Sequence, residues 1–330
     1  MSQNLLPYKH ISHGVRSTID YIKKRQSGEE KSLRTRFKKL DRLLLDGIDW
    51  YRIFTIAGRS GSGKSVVLEN LKNDFISLND PDFDILSFEF EMRIEDTLTR
   101  IASSEVGLSV KDIYSAGTKV TDGDVERVAT SLEKIAESPI YYVDNVGTVT
   151  EILDTIMSFV NTNKLKERDR GIIVTIDHVL LTKNKQGEAE KDVIDNLMKS
   201  LVALKKHYAA LGIRCLFITL SQLNRDIEQG DRVTNKNLHY PTRSDLFAAS
   251  SVYYCSDYVL ITHRPATITG LGQWYGPPKK NFPYGLPTVT GDPVQKHLVY
   301  WHLIKERFGE TAIISMVENF KESKIEEITL

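Results

Sequence analysis

A mostly parallel, twisted β-sheet covered by helices on both faces is the fold class the sequence predicts, on three observations. Short apolar runs rich in β-branched residues alternate along the chain with longer amphipathic stretches, the pattern of β-α-β crossovers. One such run, Ile53-Phe54-Thr55-Ile56-Ala57, leads directly into Gly58-Arg59-Ser60-Gly61-Ser62-Gly63-Lys64-Ser65, and the helix-like Val66-Val67-Leu68-Glu69-Asn70-Leu71 follows. Another, Gly171-Ile172-Ile173-Val174-Thr175-Ile176-Asp177, is apolar almost to its last residue, as a parallel strand buried on both faces should be.

Taken in order, strands are expected at 52–57, 84–91, 139–143, 171–177, 213–220, 257–262, 298–304 and 311–317. Helices are expected at 64–78, 94–106, 123–137, 150–166, 192–210 and 244–254. Ahead of them, Val15, Ile19 and Ile22 recur at helical spacing within 13–25, and Gly28 ends that run. A short helix with a narrow apolar stripe is marginal in water and needs a surface to dock on. Residues 23–39 are rich in Lys and Arg and read as a solvated linker. Arg264 to Gln295 is dense in proline and glycine and reads as a long irregular excursion between the last strands.

Composition sets the outer bounds. The chain has 330 residues, of which 41% are hydrophobic and 27% charged, enough apolar material for a sizeable core. Formal net charge is zero, so any nucleic-acid contact has to come from a local basic surface. Cys215 and Cys255 lie far apart among apolar or aromatic neighbours and form no metal spacing, which suits buried thiols in a reducing compartment. No apolar run approaches the ~18 residues of a membrane span. Met1 to His13 also lacks the layout of a secretory signal. A cytoplasmic setting is expected.

The glycine-rich segment is a complete phosphate-binding loop. Its glycines let backbone N–H groups turn inward around phosphate oxygens, and the N-terminus of the following helix adds partial positive charge. Lys64 is expected to reach the β- and γ-phosphates of ATP, and the Ser65 hydroxyl to ligate Mg²⁺. Asp177, at the end of its apolar strand, is the expected second Mg²⁺ partner, acting through water. His178 beside it reads as a packing residue. In the second strand Leu86, Phe88 and Phe90 alternate with Ser87, Glu89 and Glu91. Glu91 lies nearer the strand's carboxyl end and is the expected general base, in preference to Glu89. Ser221-Gln222-Leu223-Asn224-Arg225 follows another buried strand, where Gln222 can sense a γ-phosphate and relay its loss to a polar segment, 226–243, expected to be a mobile loop. At a late hairpin, Lys305 and Arg307 project to one side as a cationic pair able to complete a neighbour's site.

In this order the pieces resemble the RecA-like motor domain of DnaB-type replicative helicases. Phe90-Glu91-Met92 is similar to the family's Leu-Glu-Met, Ser221 to Arg225 matches its sensor motif, and Lys305-Glu306-Arg307-Phe308-Gly309 is similar to its Lys-Gln-Arg-Asn-Gly turn. The resemblance implies a ring, hexameric in the family's manner, with ATP between subunits and translocation 5′ to 3′ on single-stranded DNA at a replication fork. It implies channel loops at 182–191 and 226–243, where Lys183, Lys185 and Arg243 meet phosphates of the strand. The helix at about 13–26 falls where the family has a linker helix packed on the next protomer. The chain thus divides into an arm, 1–40, and a motor, 41–330. The family's collar domain is not expected in the residues ahead of the motor, so primase and loader contacts do not carry over. Asp245-Leu246-Phe247-Ala248-Ala249-Ser250 departs from the family's Asp-Leu-Arg-Glu-Ser-Gly. Two other readings use the same core: a RecA- or RadA-like recombinase filament, and an ATP-switched assembly or loading factor that does not translocate.

Overall fold

The computed structural model describes residues 8, 10–117, 120–184, 187–235, 238–268 and 297–328. Its strands are β1 (Arg52–Gly58), β2 (Phe83–Glu89), β3 (Ile140–Val143), β4 (Gly171–Asp177), β5 (Cys215–Gln222), β6 (Tyr258–His263), β7 (Leu298–Lys305), β8 (Ala312–Asn319) and β9 (Lys324–Glu327). Among the described residues they form one sheet in the order β3-β2-β4-β5-β1-β6-β7-β8-β9. From β3 to β6 every pairing is parallel. From β6 onward the pairing is antiparallel.

The helices are α1 (Ser12–Ser27), α2 (Lys38–Leu43), α3 (Lys64–Leu78), α4 (Ile94–Val106), α5 (Val110–Ile113), α6 (Asp122–Ala136), α7 (Val149–Thr162), α8 (Glu190–Leu211), α9 (Gly230–Thr234) and α10 (Ala249–Cys255). Strand alternation sorts the core onto two faces. Leu86, Phe88, Val174 and Ile176 pack with Ile152 and Ile156 of α7 and Val193, Leu197 and Leu201 of α8. Ile85, Ile173, Leu216 and Ile218 pack instead with Val67, Leu71 and Phe75 of α3. The expected α/β architecture is therefore present, and helices 64–78 and 94–106 have the expected bounds.

Several expectations need correction. The basic stretch 23–39 is not a solvated linker throughout: Leu33 bridges to Ile48, and Phe37 is fully buried, its ring 4.7 Å from that of Trp301. The apolar residues between the charges find the sheet. Segment 226–243 holds a 3-10 turn at Arg225–Glu228 and α9, tied down by Arg232, which pairs with the buried Asp245 and donates to Tyr240 O at 3.0 Å. A helix starting at 244 is excluded because Asp245 caps a separate 3-10 turn with Thr242, and α10 begins only at Ala249. The second strand stops at Glu89, short of Glu91. The short edge strand β9 lies beyond the last strand the sequence pattern predicts. Most of the proline- and glycine-dense excursion, from 269 on, lies outside the described residues.

Helix α1 buries none of its residues. Val15, Ile19 and Ile22 are each about half exposed, while Tyr21 reaches Asp49 at 3.3 Å and Arg25 donates to Ser32 at 2.8 Å. The polar side is anchored and the apolar stripe faces away.

Candidate nucleotide site

The site gathers at the carboxyl ends of β2, β4, β5 and β1, where ligands collect in open α/β sheets. Gly58 closes β1, and a Cβ there would collide with the Ser62 hydroxyl and approach Thr262 O at 2.7 Å. Gly61 and Gly63 take φ of 73° and 92°, a region L-residues avoid, and Gly63 caps α3. Lys64 Nζ donates to Arg59 O at 3.1 Å, so the ammonium lies across the loop mouth. Gln222 sits beside Gly58 in the β1–β5 register, and Glu89 sits beside Asp177 in the β2–β4 register.

The electrostatics separate the two glutamates. Glu89 is buried, bonded to Ser87 at 2.6 Å and paired at 3.0 Å with Lys72, itself buried and paired with Glu69 at 2.6 Å. It is committed to an ionic staple between α3 and β2. Glu91 instead is more than half exposed, with His178 Nε2 3.9 Å away. His178 Nδ1 accepts from Leu180 N at 3.2 Å, a turn-forming role. Burial, with the Glu89 charge next, raises the Asp177 carboxyl to about 6, while the Ser65 hydroxyl bonded to it pulls the other way. Burial also lowers the Lys64 ammonium. A buried carboxylate with Oδ1 lacking a hydrogen-bond partner among the described residues, beside a serine hydroxyl and an ammonium, fits a hydrated Mg²⁺ and a polyphosphate.

Lys305 and Arg307 are elsewhere. Strand β7 runs antiparallel to β6, so its carboxyl end, at Lys305, lies at the amino ends of the parallel strands. Lys305 donates to Tyr253 O at 2.6 Å and lies 4.8 Å from the centre of that ring. Arg307 Nε lies 2.9 Å from Asp257 Oδ1, and Asp257 Oδ2 accepts from Ile53 N at 2.8 Å. From Ile53 to Gly58 the strand climbs ~16 Å at about 3.3 Å per residue. These cations therefore stand a full strand length from the phosphate loop of their own chain.

Of the three basic residues expected on DNA, Lys183 and Arg243 lie on different segments with different neighbours. Lys183 is exposed just past β4, its amide bonded to Gly147 O at 2.9 Å. Arg243 is exposed 5.9 Å from the Tyr253 ring, so it shares that aromatic with Lys305 and lines a cleft of about 480 Å³ with His302 and Ile304. Lys185 lies outside the described residues.

Two contacts at the loop have no counterpart in the sequence reading. Arg59 pairs with Glu228, just beyond the Gln222 segment. The Phe320 ring lies against Gly63, where a Cβ would come within 2.7 Å of Phe320 Cε1. Arg264 stacks on this ring at 5.2 Å from its centre and pairs with Glu318. Phe320 follows a strand far along the chain with no local motif, and only the antiparallel return of β8 brings it to the loop.

Fold and site together define a RecA-like P-loop nucleotide-binding domain. The family model described as "DnaB-like helicase C terminal domain" matches residues 32–326, and the chain belongs to that family. A replicative DNA helicase DnaB of Mycobacterium leprae (strain TN) is 28% identical over 180 residues, 54% of this chain and 27% of that protein. The match therefore spans about a quarter of that relative's length. Among solved structures, one described as an ATPase domain superposes with a TM-score of 0.74 at 18% identity, covering 98% of this chain and 100% of that one. A second, "The Structure Of A DnaB-Like Replicative Helicase And Its Interactions With Primase", gives 0.70 at 18% identity, covering 98% and 68%. These likenesses carry the fold. Among the described residues no helix is long and apolar enough to cross a membrane.

Proposed function

We propose that this chain is the ATP-hydrolysing motor of a ring-forming replicative helicase, hexameric as its family's rings are, moving 5′ to 3′ on single-stranded DNA. One observation carries the reading: the phosphate loop and the cationic hairpin stand at opposite ends of one sheet, so neither completes the other within a chain. Two copies packed head to tail would join them.

In that seam the loop N–H groups and Lys64 hold the phosphates, with Gly58, Arg59, Ser60, Gly61, Ser62 and Gly63 shaping the cradle. Ser65 and Asp177 would hold Mg²⁺, which when bound offsets charge on the phosphate oxygens. Glu91, unlike Glu89, is free to orient a water and take its proton. Phe320, backed by Arg264, offers an aromatic face for the base. Gln222 reports the γ-phosphate to Phe247, whose amide bonds Gln222 O at 3.0 Å. Arg307, with Lys305, meets the transition-state charge on the neighbour's phosphate. The α1 stripe docks on the next protomer, and a cytoplasmic setting suits such a motor. Primase or loader contacts are proposed only by analogy with the primase named for the solved relative.

A second reading, an ATP-switched loading factor that does not translocate, is favoured by Arg243 standing on Tyr253 beside Lys305, a partner within its own chain. Hydrolysis measured with and without single-stranded DNA, on material of known oligomer mass, separates the two. Stimulation by DNA in a ring supports the motor; indifference to DNA, with no fork unwinding, supports the loading factor. Helical filaments in electron micrographs would replace both with a recombinase.

A further inference from the structure

We infer that Asp257 is the positioning residue for Arg307: its buried carboxylate pairs with the guanidinium and holds it, half exposed, for an anion on a neighbouring subunit. The inference rests on the reading of Arg307 as a group that acts in trans, and it adds what aims that group.

Asp257 is 1% exposed and lies between α10 and β6, at the amino end of the parallel strands. A buried carboxylate needs compensation, and here two donors and an ion pair supply it. Oδ2 accepts from Ile53 N at 2.8 Å and from Lys205 Nζ of α8 at 2.5 Å. Its own amide donates to Ile53 O at 2.8 Å. The carboxylate is thereby fixed to β1, the strand that carries the phosphate loop at its other end. Lys205 already balances its charge, so Oδ1 is available to the third partner, the Arg307 guanidinium, whose Nε forms an ion pair with it at 2.9 Å.

The arginine is held but not consumed. Its side chain remains 50% exposed while paired with Asp257. A guanidinium carries five donors, so one that is paired with a fixed carboxylate and still half exposed keeps donors for two-point contact with phosphate oxygens. Glu306 Oε2 accepts the Phe308 and Gly309 amides, which holds the turn from which Arg307 projects. Phe308 also receives Arg52 at 5.1 Å from its ring centre. A rotamer-rich side chain is thus pre-organised before any neighbour arrives, and preorganisation is where such a group gains its catalytic effect.

The test is a double-mutant cycle on steady-state ATP hydrolysis, using the full chain and recording oligomer mass for each variant. Asp257→Asn keeps the shape and removes the charge. Expected is a ~10- to 100-fold loss of kcat, the scale of a misplaced catalytic group, with KM for ATP and oligomer mass unchanged. In an Arg307→Ala background the same substitution should cost nothing further, because Asp257 acts only through Arg307. A full rate for Asp257→Asn, or an equal loss in both backgrounds, overturns the inference. Full hydrolysis by Arg307→Ala alone would instead overturn the trans reading beneath it. Should Asp257→Asn fail to assemble, Asp257→Glu, which keeps the charge and moves it by one methylene, is carried through the same cycle with the same criteria.

Discussion

The two ends of the central sheet are built differently. At the carboxyl ends of β1, β2, β4 and β5 the polar groups converge inward: Lys64 lies across its own loop, Asp177 is buried beside Glu89, and Gln222 stands next to Gly58. At the other end Arg307 leans on a buried carboxylate with its side chain half exposed. On the proposed function the first end receives a phosphate and the second supplies a cation to a neighbour's phosphate. Each is what the other needs, and the strand between them keeps them apart in one chain. On that proposal, assembly is a catalytic requirement rather than a packaging detail.

Removing the receptor should have the largest effect. Lys64→Ala is expected to abolish hydrolysis and unwinding, a loss of roughly 10³-fold or more, read by phosphate release. Removing the donor should match it in rate but not in binding. Arg307→Ala is expected to lose hydrolysis on the scale of about 10³-fold for an arginine finger, with nucleotide affinity by fluorescence titration nearly intact. Equal losses of rate and affinity would erase the contrast between the two ends.

Glutamates 89 and 91 sharpen the picture within the receptor. Glu91→Gln should lower kcat by about 10²- to 10⁴-fold with little change in melting temperature. Glu89→Gln should do the reverse, destabilising by about 3–5 kcal/mol because buried Lys72 loses a partner. A kinetic defect for Glu89→Gln at unchanged stability would reverse the assignment. Phe320→Ala should be milder, weakening ATP binding by ~3- to 10-fold without altering kcat.

The receptor end was largely legible in the sequence, because its groups are local: a glycine pattern, a strand and a helix make the loop, and an acidic residue ends an apolar strand. Lys305 and Arg307 were legible as a pair but not as to what holds them, since Asp257 lies far off in sequence, ahead of a different strand. Phe320 and Arg264 left no trace, because their approach to Gly63 depends on the return of β8. The helix expected from 244 failed for a related reason. Asp245 pairs with Arg232, and that contact overrides the local helical pattern.

The smallest expected effect concerns acid. His239, His263 and His302 cluster under the 238–245 segment, with His239 and His263 ring nitrogens 3.1 Å apart. Burial lowers His239 to about 4 and His302 to about 3 from an ordinary 6.5. Between pH 6.5 and about 4 the unfolded chain takes up protons that the folded one refuses, so stability should fall as pH drops through that window. Melting temperature should track this, and His302→Gln should flatten the slope.

Protein concentration tests the central claim most directly. Hydrolysis per chain and oligomer mass should be recorded on the same samples across a dilution series in the presence of ATP. Completion of the site by a second copy predicts a specific rate that rises and falls with the assembled fraction and vanishes for monomers. Dilute monomers hydrolysing ATP at the full specific rate would contradict it.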